Sequence, residues 1–392
     1  MAISNTIESM YNNVDSAYTS LANKGATIPT DKNLANLADT IDSIPAGGSG
    51  GEDVIFYDYD GTVVQSYSKD DFLALTAMPE NPTHTGLVAQ GWNWSLSDAK
   101  TYVTSYGKLN VGQMYKTASG LTEFDIELTP VTGLTITFQM DGTTNWGDGT
   151  SSTTTSGSSH TYADYGKYTI TCNGQLSTYI FGRNSPTASC CSNVRLGENC
   201  RYINGNSFNG CNNLQAITMP NSLLMIDGDA FAFTFLKYIT IPNSLSGEQY
   251  EGLDASCFRY SYNLRTISFS NETERIGQDC FTTLQSLTGI LTLPDSVVSI
   301  GVRAFKDCRN IRSIIFGKNI RSLGTDAFTG CYSVTLYDFS AATNVPSIQS
   351  TSFGSSLNNL CKIIVPDSLY STWITTSNWT AYANYIYKAS EV

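Results

Sequence analysis

The second half of the chain repeats one arrangement of apolar and polar positions. In residues 300–316 this arrangement is Ile-Gly-Val-Arg-Ala-Phe-Lys-Asp-Cys-Arg-Asn-Ile-Arg-Ser-Ile-Ile-Phe. The Ala-Phe segment predicts a short helical turn, and the alternating, β-branched residues from Ile311 to Phe316 predict a strand. A Pro-Asn or Pro-Asp pair, such as Pro294-Asp295, ends the strand in sister copies, because Pro cannot continue a hydrogen-bonded ladder. Each unit therefore contains one turn and one strand.

A phenylalanine marks the turn of each unit. The seven copies recur at intervals of 23, 27, 23, 24, 23 and 25 residues, at Phe208, Phe231, Phe258, Phe281, Phe305, Phe328 and Phe353. Periods of this length indicate a solenoid, in which each unit is too small to bury its own apolar face and packs on its neighbours. We predict that the seven rings form the repeat core and that the protein binds its target along an extended surface. Strand positions predicted to face solvent are ordinary in type and identify no contact residues: Arg265, Ser268, Arg312 and Ser313.

The repeat resembles the BspA-type leucine-rich repeat, in which Ile-x-x-Ala-Phe, a central Cys and a Leu-x-x-Ile strand recur at this period. The resemblance covers roughly residues 195–365 and implies a leucine-rich-repeat solenoid, which we assign to residues 181–365. An aromatic segment over residues 378–386 predicts a helix that covers the end of the solenoid. Because terminal repeats differ from internal ones, we assign residues 366–392 as a C-terminal cap.

The ten cysteines follow the repeat. Three of them share one position of the unit: Cys211, Cys308 and Cys331. Equivalent positions stack in successive coils, so the simplest interpretation is that these thiols fill the core as small apolar groups. Some disulfides or a bound metal are the alternative, and Cys190, Cys191 and Cys200 lie where a capping disulfide is conceivable. The chain has only two histidines, which excludes a histidine-rich metal site, and we expect no metal and no cofactor.

Short strands and polar turns fill residues 119–180. Leu134 to Phe138 alternates, Trp146-Gly-Asp-Gly149 forms a tight turn, and His160-Thr-Tyr162 leads into a Gly-x-Tyr strand. This pattern resembles the polycystic-kidney-disease-type domain, which implies an Ig-like β-sandwich acting as a spacer or a binding unit. Asp148 in the Gly-rich turn is better explained by turn chemistry than by a cation.

Residues 53–118 predict a small α+β module. Val54 to Tyr57, an Asp60-Gly61 turn and Thr62 to Tyr67 predict a hairpin. The same segment resembles the first motif of haloacid-dehalogenase-type phosphatases, with Asp58 and Asp60 as the catalytic pair, but too few residues follow for that large α/β domain. We therefore expect no catalytic residue. Ser68 predicts a helix N-cap, and Trp92 and Trp94 precede a second short helix as core anchors or, alternatively, as a sugar platform.

Residues 1–45 predict two short helices with narrow apolar seams. The seams contain Ile7, Val14, Leu21, Leu34, Leu37, Ile41 and Ile44. Short seams of this kind need a partner or a second copy to bury them, although a hairpin folded on its own chain is the alternative. The Gly-rich residues 46–52 predict a flexible linker. The segment resembles the N-terminal attachment ends of tailed-bacteriophage virion proteins, which implies contact with other virion proteins and homo-oligomerisation.

Charge and composition narrow the function. The net charge is -12 and only 14% of residues are charged, which argues against nucleic acid as a partner. No apolar run is long enough for membrane insertion. Abundant Tyr with few charges is typical of extracellular adhesive surfaces. The first ten residues lack the pattern of a secretory signal, so we expect a different route to the outside.

Together these features predict a multi-domain, mainly β protein with four parts: a helical N-terminal segment, the α+β module, the Ig-like sandwich and the solenoid. The predicted function is that of a non-enzymatic bacteriophage fibre, tail-tip or head-fibre protein, made in the host cytoplasm and carried on the virion. Its partner would be a glycan or protein of the host surface. The alternative is a leucine-rich-repeat adhesin on the surface of a bacterium or protist.

Overall fold

The structure is a computed structural model that describes residues 53–155, 157–181, 186–245, 252–354 and 357–392. The predicted helices of residues 1–45, with the seam residues named above, and the linker over residues 46–52 lie outside the described residues. The rest is mainly β, with few helices and a β-solenoid.

Residues 53–118 form a four-stranded sheet with two helices. In chain order the elements are β1 (Val54–Tyr57), β2 (Val63–Tyr67), α1 (Lys69–Ala74), β3 (Leu87–Trp92), α2 (Leu96–Tyr106) and β4 (Leu109–Thr117). The predicted hairpin is confirmed, because β1 pairs antiparallel with β2. The sheet order is β2-β1-β4-β3, with β1 parallel to β4. The predicted cap at Ser68 is also confirmed, since its side chain accepts from the Asp71 amide.

The next segment forms two antiparallel sheets that share a core. Its strands are β5 (Thr122–Leu128), β6 (Thr135–Phe138), β7 (Gly142–Asn145), β8 (Ser151–Thr154), β9 (Ser158–Thr161) and β10 (Gly166–Cys172). Phe124 on β5 contacts Phe138 on β6 edge to face at 5.5 Å, and Phe138 contacts Trp146 at 5.6 Å. The β5 and β10 strands belong to one sheet, and β6 and β9 form the other.

This first sheet runs across the predicted boundary at residues 180/181. After a 3₁₀ helix over Pro186–Cys190, strand β11 (Cys191–Arg195) pairs with β5, and β13 (Ala216–Thr218) pairs with β11 in parallel. Phe124 also reaches the first repeat ring, Phe208, at 6.5 Å. The two modules therefore share one sheet and one hydrophobic core.

Two columns of parallel strands run along the solenoid. The first, which we call the open face, is a seven-stranded sheet of β12 (Tyr202–Ile203), β14 (Met225–Ile226), β16 (Gly252–Leu253), β18 (Arg275–Ile276), β20 (Ser299–Ile300), β22 (Ser322–Leu323) and β24 (Ser347–Ile348). The second, which we call the docked face, continues from β13 through β15 (Tyr238–Thr240), β17 (Thr266–Ser268), β19 (Gly289–Thr292), β21 (Ile311–Ile315), β23 (Leu336–Asp338), β25 (Lys362–Val365) and β26 (Ile386–Lys388).

The seven repeat phenylalanines stack in one internal column between these faces. Successive rings lie 5.1 to 5.9 Å apart, centroid to centroid, and their planes differ by 2 to 15°. All seven are buried. Because each ring covers the face of the next, no coil contains a complete core of its own, and stability depends on neighbouring coils.

The predicted helical turn around each phenylalanine is wrong. Around the first six rings, the residues two before and two after the ring have left-handed backbone, for example Arg303 (φ 56°) and Asp307 (φ 59°) around Phe305. A left-handed residue on each side interrupts a right-handed helix. In exchange, backbone amides of the turn donate to the next coil: Arg303 to Thr325, Phe305 to Ala327 and Asp307 to Thr329, at 2.8 to 2.9 Å. The turn thus forms a third column of hydrogen bonds between coils.

The C-terminal end differs in detail from the predicted cap. Residues 378–386 contain a 3₁₀ helix over Trp379–Tyr385 and then β26, which adds a parallel strand to β25, in place of a continuous aromatic helix. Shorter turns flank it: a 3₁₀ helix over Asp367–Leu369, α3 (Tyr370–Trp373) and a 3₁₀ helix over Ala389–Glu391. Trp379 and Tyr382 contact the last ring, Phe353, at 5.6 and 5.3 Å. The segment covers the column and replaces the missing next coil.

In the segment with two antiparallel sheets, the Gly-rich turn is held by Asp148. Its carboxylate accepts from the Thr150 hydroxyl at 2.6 Å and pairs with His160 at 2.7 Å, and the imidazole stacks on Trp146 at 4.4 Å. The Thr150 hydrogen bond is the main cause that lowers the pKa of Asp148 to about 2, against a smaller opposing effect of burial, and His160 adds to the lowering. These contacts confirm the prediction that the Asp148 carboxylate stabilises the turn.

The low pKa of Asp148 predicts a loss of stability in acid. A carboxyl whose pKa is depressed on folding contributes stability that is present above its unfolded pKa, near 3.8, and is lost as the pH falls towards 2. We expect Asp148→Asn to destabilise the protein at pH 7 and to make little difference at pH 2. Thermal unfolding of both proteins across this range measures the effect, with Asp164→Asn as the control. Equal destabilisation by Asp148→Asn at both pH values would contradict it.

Candidate binding surfaces

The α+β module covers part of the docked face. Asn93 donates through its side-chain amide to the carbonyls of Ile241 and Ser268, both at 3.2 Å, and accepts from the Gly112 amide at 2.8 Å. Trp94 donates to the Phe269 carbonyl at 2.8 Å. These contacts link strand ends of two successive coils to the module. The middle of the docked face is therefore unavailable to a ligand.

The docked module decides which of the residues predicted to face solvent, or to bind sugar, are buried. Ser268, predicted to face solvent, is fully buried beneath the module and donates to the Asn110 carbonyl at 2.8 Å. Trp92 and Trp94 are both buried, which confirms them as core anchors and excludes a sugar platform at these rings. Arg265 and Arg312 are exposed. Asn93 stands out in the sequence as a polar residue between two tryptophans. Its hydrogen-bond partners are 148 and 175 residues away, so the sequence alone does not identify them.

The aspartates of the phosphatase-like motif have structural partners. Asp58 is buried, and its carboxylate accepts from the Tyr59 amide at 2.8 Å and pairs with His84 at 2.7 Å. Asp60 accepts from the Thr62 amide at 2.9 Å within the turn. Both carboxylates therefore stabilise the hairpin and its surroundings.

The cysteines occupy the core as predicted. All ten are free and buried, including Cys190, Cys191 and Cys200 at the start of the solenoid. Burial raises the pKa of Cys211 and Cys308 to about 12, which disfavours the reactive thiolate. Cys308 and Cys331 donate to the carbonyl of the preceding coil's column ring, Phe281 and Phe305 respectively, at 3.1 and 3.2 Å. Ser261 donates in the same way in its coil, whereas the apolar Leu284 fills the same position after Phe281.

The open face forms a shallow groove of about 780 Å³ along the solenoid. The strand residues that line it come from six successive coils: Met225, Gly252, Arg275, Ser299, Ser322 and Ser347. Their partners in the strands, such as Ile300 and Leu323, point into the core. Gly252 and the three serines are small and leave room above the sheet, so a ligand is able to approach the backbone beside them.

Glycines form part of the groove floor because the coils are too close for side chains. A Cβ on Gly301 would lie 2.7 Å from the Gln278 amide nitrogen, and a Cβ on Gly324 would lie 2.6 Å from that of Val302. A Cβ carbon essentially never approaches a non-bonded backbone atom this closely, so the backbone itself would have to move. The groove therefore has a fixed shape that is built into the stacking of the coils.

This stacking predicts different costs for an alanine substitution in the groove floor and for one beside the groove. Gly301→Ala should lower the free energy of unfolding by at least about 2 kcal/mol, since the clash is with backbone. Gly228→Ala is the matched control, because its Cβ would lie 3.3 Å from the Ala255 carbonyl oxygen and should cost less than about 1 kcal/mol. Urea unfolding of the two variants gives the comparison, and equal costs would argue against rigid stacking.

The two ends of the groove differ in charge. Asp227 and Asp254 line its N-terminal part, but their carboxylates accept from the local amides of Gly228 and Ala255, both at 2.6 Å. Ser299, Ser322 and Ser347 line the C-terminal part. In the part of the chain that the structure describes, no group of three or more His, Cys, Asp or Glu residues is placed to hold a metal ion. The groove therefore presents an extended surface with serine hydroxyls and backbone groups to a ligand.

These features define a β-solenoid protein of the leucine-rich-repeat class. The family profile described as "BspA type Leucine rich repeat region (6 copies)" matches residues 174–250 and 251–375, just over half of the chain. The chain belongs to the BspA-type leucine-rich repeat family. No curated protein matches it.

Solved leucine-rich-repeat structures are also similar to the chain. A leucine-rich repeat protein from Bacteroides ovatus is 20% identical, with a TM-score of 0.34 over 53% of this chain and 61% of the other. The Treponema pallidum leucine-rich repeat protein is 22% identical, with a TM-score of 0.33 over 46% and 86%. A leucine-rich cell surface protein from Faecalibacterium prausnitzii is 24% identical, with a TM-score of 0.30 over 50% and 59%. This chain thus spans less than two thirds of the Bacteroides ovatus protein.

The helices of the described residues are short. The longest, α2, has 11 residues, and none combines the length and apolar character needed to cross a bilayer.

Proposed function

We propose that the protein is a non-enzymatic adhesin that binds a bacterial cell surface through the open face of its solenoid. The observation that supports this function best is the groove of about 780 Å³, whose lining residues repeat from coil to coil. A rigid surface loses little conformational freedom on binding, so weak contacts along several coils contribute fully to affinity. The acidic, weakly charged composition favours a glycan or protein partner over nucleic acid.

In its specific form, the proposal places this adhesin on a bacteriophage particle. Residues 1–45 would join other virion proteins and further copies of the chain, with the apolar seams as the contact. The polycystic-kidney-disease-like β-sandwich would act as a rigid connection to the solenoid, which is supported by the sheet shared between β5, β11 and β13. Several copies on one particle would add avidity.

Binding of the purified full-length protein to a panel of bacterial cells tests the adhesin function. We expect saturable binding to some strains, weakened at least tenfold by Ser299→Trp or Ser322→Trp, which fill the groove. Arg312→Ala, on the exposed part of β21, is the control and should bind as the original protein does. Binding that is unchanged by both tryptophan substitutions would exclude the open face as the contact surface.

Immunogold labelling distinguishes a location on phage particles from a location on the bacterial cell surface. Label on purified phage particles supports the virion form of the proposal. Label on the envelope of uninfected bacteria contradicts it and supports the cell-surface alternative. Light scattering on the full chain measures whether it forms the expected homo-oligomer.

A further inference from the structure

Four aromatic residues occupy the outer turns of two successive coils. They follow the column rings Phe231 and Phe258 by two and four residues, and we call them the aromatic corner: Phe233, Phe235, Tyr260 and Tyr262. Phe233, Phe235 and Tyr262 are 41%, 43% and 39% exposed. This corner lies outside the open face, and no step of the proposed open-face binding uses it.

Two of these aromatics occupy backbone that disfavours them. Phe233 and Tyr260 have φ angles of 61° and 60°, in the left-handed region where a bulky side chain costs free energy. The same position of other coils holds residues that are smaller: Gly210, Thr283, Asp307 and Gly330. The fold therefore does not require an aromatic ring at this position. Unfavourable backbone on an exposed surface points to a function for the side chain.

The rings are held in place before any ligand arrives. Phe233 and Tyr260 stack at 5.0 Å with planes 21° apart. The Arg259 guanidinium lies 5.9 Å from one ring centroid and 5.8 Å from the other, and it forms an ion pair with Asp229. Such contacts fix the ring orientation, so a ligand would lose little affinity to ordering these side chains.

Space remains beside this stack. In the preceding coil, the position equivalent to Phe233 is Gly210, and a Cβ placed there would meet no atom within 4 Å. The ring face of Phe233 that is turned away from Tyr260 therefore has no side chain at the equivalent position in front of it. A cavity of about 340 Å³ lies next to Phe235, and its exposed surface is mostly apolar, with polar groups at its margin. Its other lining residues are Glu127, Thr129, Val131, Thr132, Ser189, Asn212 and Asn213.

We propose that the aromatic corner is a subsite for a neutral hexopyranose unit of a cell-surface glycan. A pyranose presents a face of C–H bonds, which packs on an aromatic ring, and a rim of hydroxyls, which bond to side-chain amides like those of Asn212 and Asn213. The net charge of -12 disfavours an anionic glycan. A cavity of about 340 Å³ is at the small end for ligand sites and suits one or two sugar rings. A stable protein partner needs a far larger interface.

This inference rests on the proposed adhesin function and adds a ligand class and a second contact region. The test uses the full-length protein on an array of neutral and anionic oligosaccharides, with saturation-transfer NMR on the neutral sugars it binds. The variant is Phe233→Gly combined with Tyr260→Gly, which installs the glycine found in two sister coils and removes the backbone strain. Tyr332→Ser, at another exposed ring, is the matched control.

We expect neutral hexose oligosaccharides to bind, the double variant to bind them at least tenfold more weakly, and the control to bind normally. Thermal unfolding of the double variant should be unchanged or raised, which separates lost binding from lost folding. Binding that resists the double substitution, or selective binding of anionic sugars, overturns the subsite. Cell binding that survives periodate oxidation of surface sugars but not protease treatment overturns it too, by identifying a protein ligand, while leaving adhesion intact. Absence of any cell binding defeats the adhesin function itself.

Discussion

Phe281→Ala is expected to lower the free energy of unfolding by about 3–5 kcal/mol, among the largest effects of any single substitution in the solenoid. The ring is fully buried, stacks on Phe258 at 5.4 Å and on Phe305 at 5.3 Å, and meets Phe269 edge to face at 5.8 Å. Removing it leaves a cavity that backbone hydrogen bonds between coils prevent from closing. It also breaks the column in its middle, so the two ends of the solenoid lose their coupling.

Urea unfolding and amide hydrogen exchange measure both consequences. The variant should unfold at lower urea and in two separable steps, with exchange raised in the coils on either side of residue 281. Tyr332→Ala, at a ring that is 64% exposed, should change stability by less than about 0.5 kcal/mol. A single unfolding step with a cost near that of the control would mean that the stacked column contributes little to cohesion.

The repeat was predictable because its physical causes are local and recur. A ring at each interval of 23 to 27 residues and an Ile-rich strand are both visible in the sequence, and they are sufficient to indicate a stack. The turn conformation was not predictable in the same way. Asp and Asn precede the ring by two residues in some coils and tolerate left-handed backbone, but Arg303 and Ser256 occupy the same position and hide the signal. Hydrogen bonds to the next coil fix the turn, and they depend on the stack as a whole.

Contacts between modules were less accessible to sequence reasoning. The docking of the α+β module depends on Asn93, which forms hydrogen bonds both to the solenoid and to its own module. These bonds form only when both modules have folded, so the sequence does not reveal them. The shared sheet between β5 and β11 joins backbone groups, which carry little sequence information. The aromatic corner was hidden for another reason: Phe233 and Tyr260 look like core residues in the sequence, whereas in the folded chain Phe233 is exposed and Tyr260 is half-buried.

Gly112→Ala is the second substitution with a large expected effect, and it tests whether the module is bound to the solenoid. A Cβ on Gly112 would lie 2.2 Å from the Thr240 hydroxyl oxygen and 2.6 Å from the Tyr238 hydroxyl oxygen. Both partners are buried, and Tyr238 is also stacked on Tyr57 at 4.9 Å, so neither side chain has free space to move into. We expect a loss of about 3 kcal/mol or more, mostly through a weakened interface.

Gly107→Ala is the control for this prediction. Gly107 ends helix α2 with φ 75°, and a Cβ there would meet nothing within 4 Å, so its cost is backbone strain of about 1 kcal/mol. Hydrogen exchange distinguishes the two variants, because only Gly112→Ala should expose the amides of β15 and β17, which lie beneath the module. If the exchange of these strands is unchanged while global stability falls, the clash is absorbed within the module and the interface is softer than its contacts imply. If both change together, the α+β module and the solenoid act as one cooperative unit, and the open face and the aromatic corner are the surfaces left for binding.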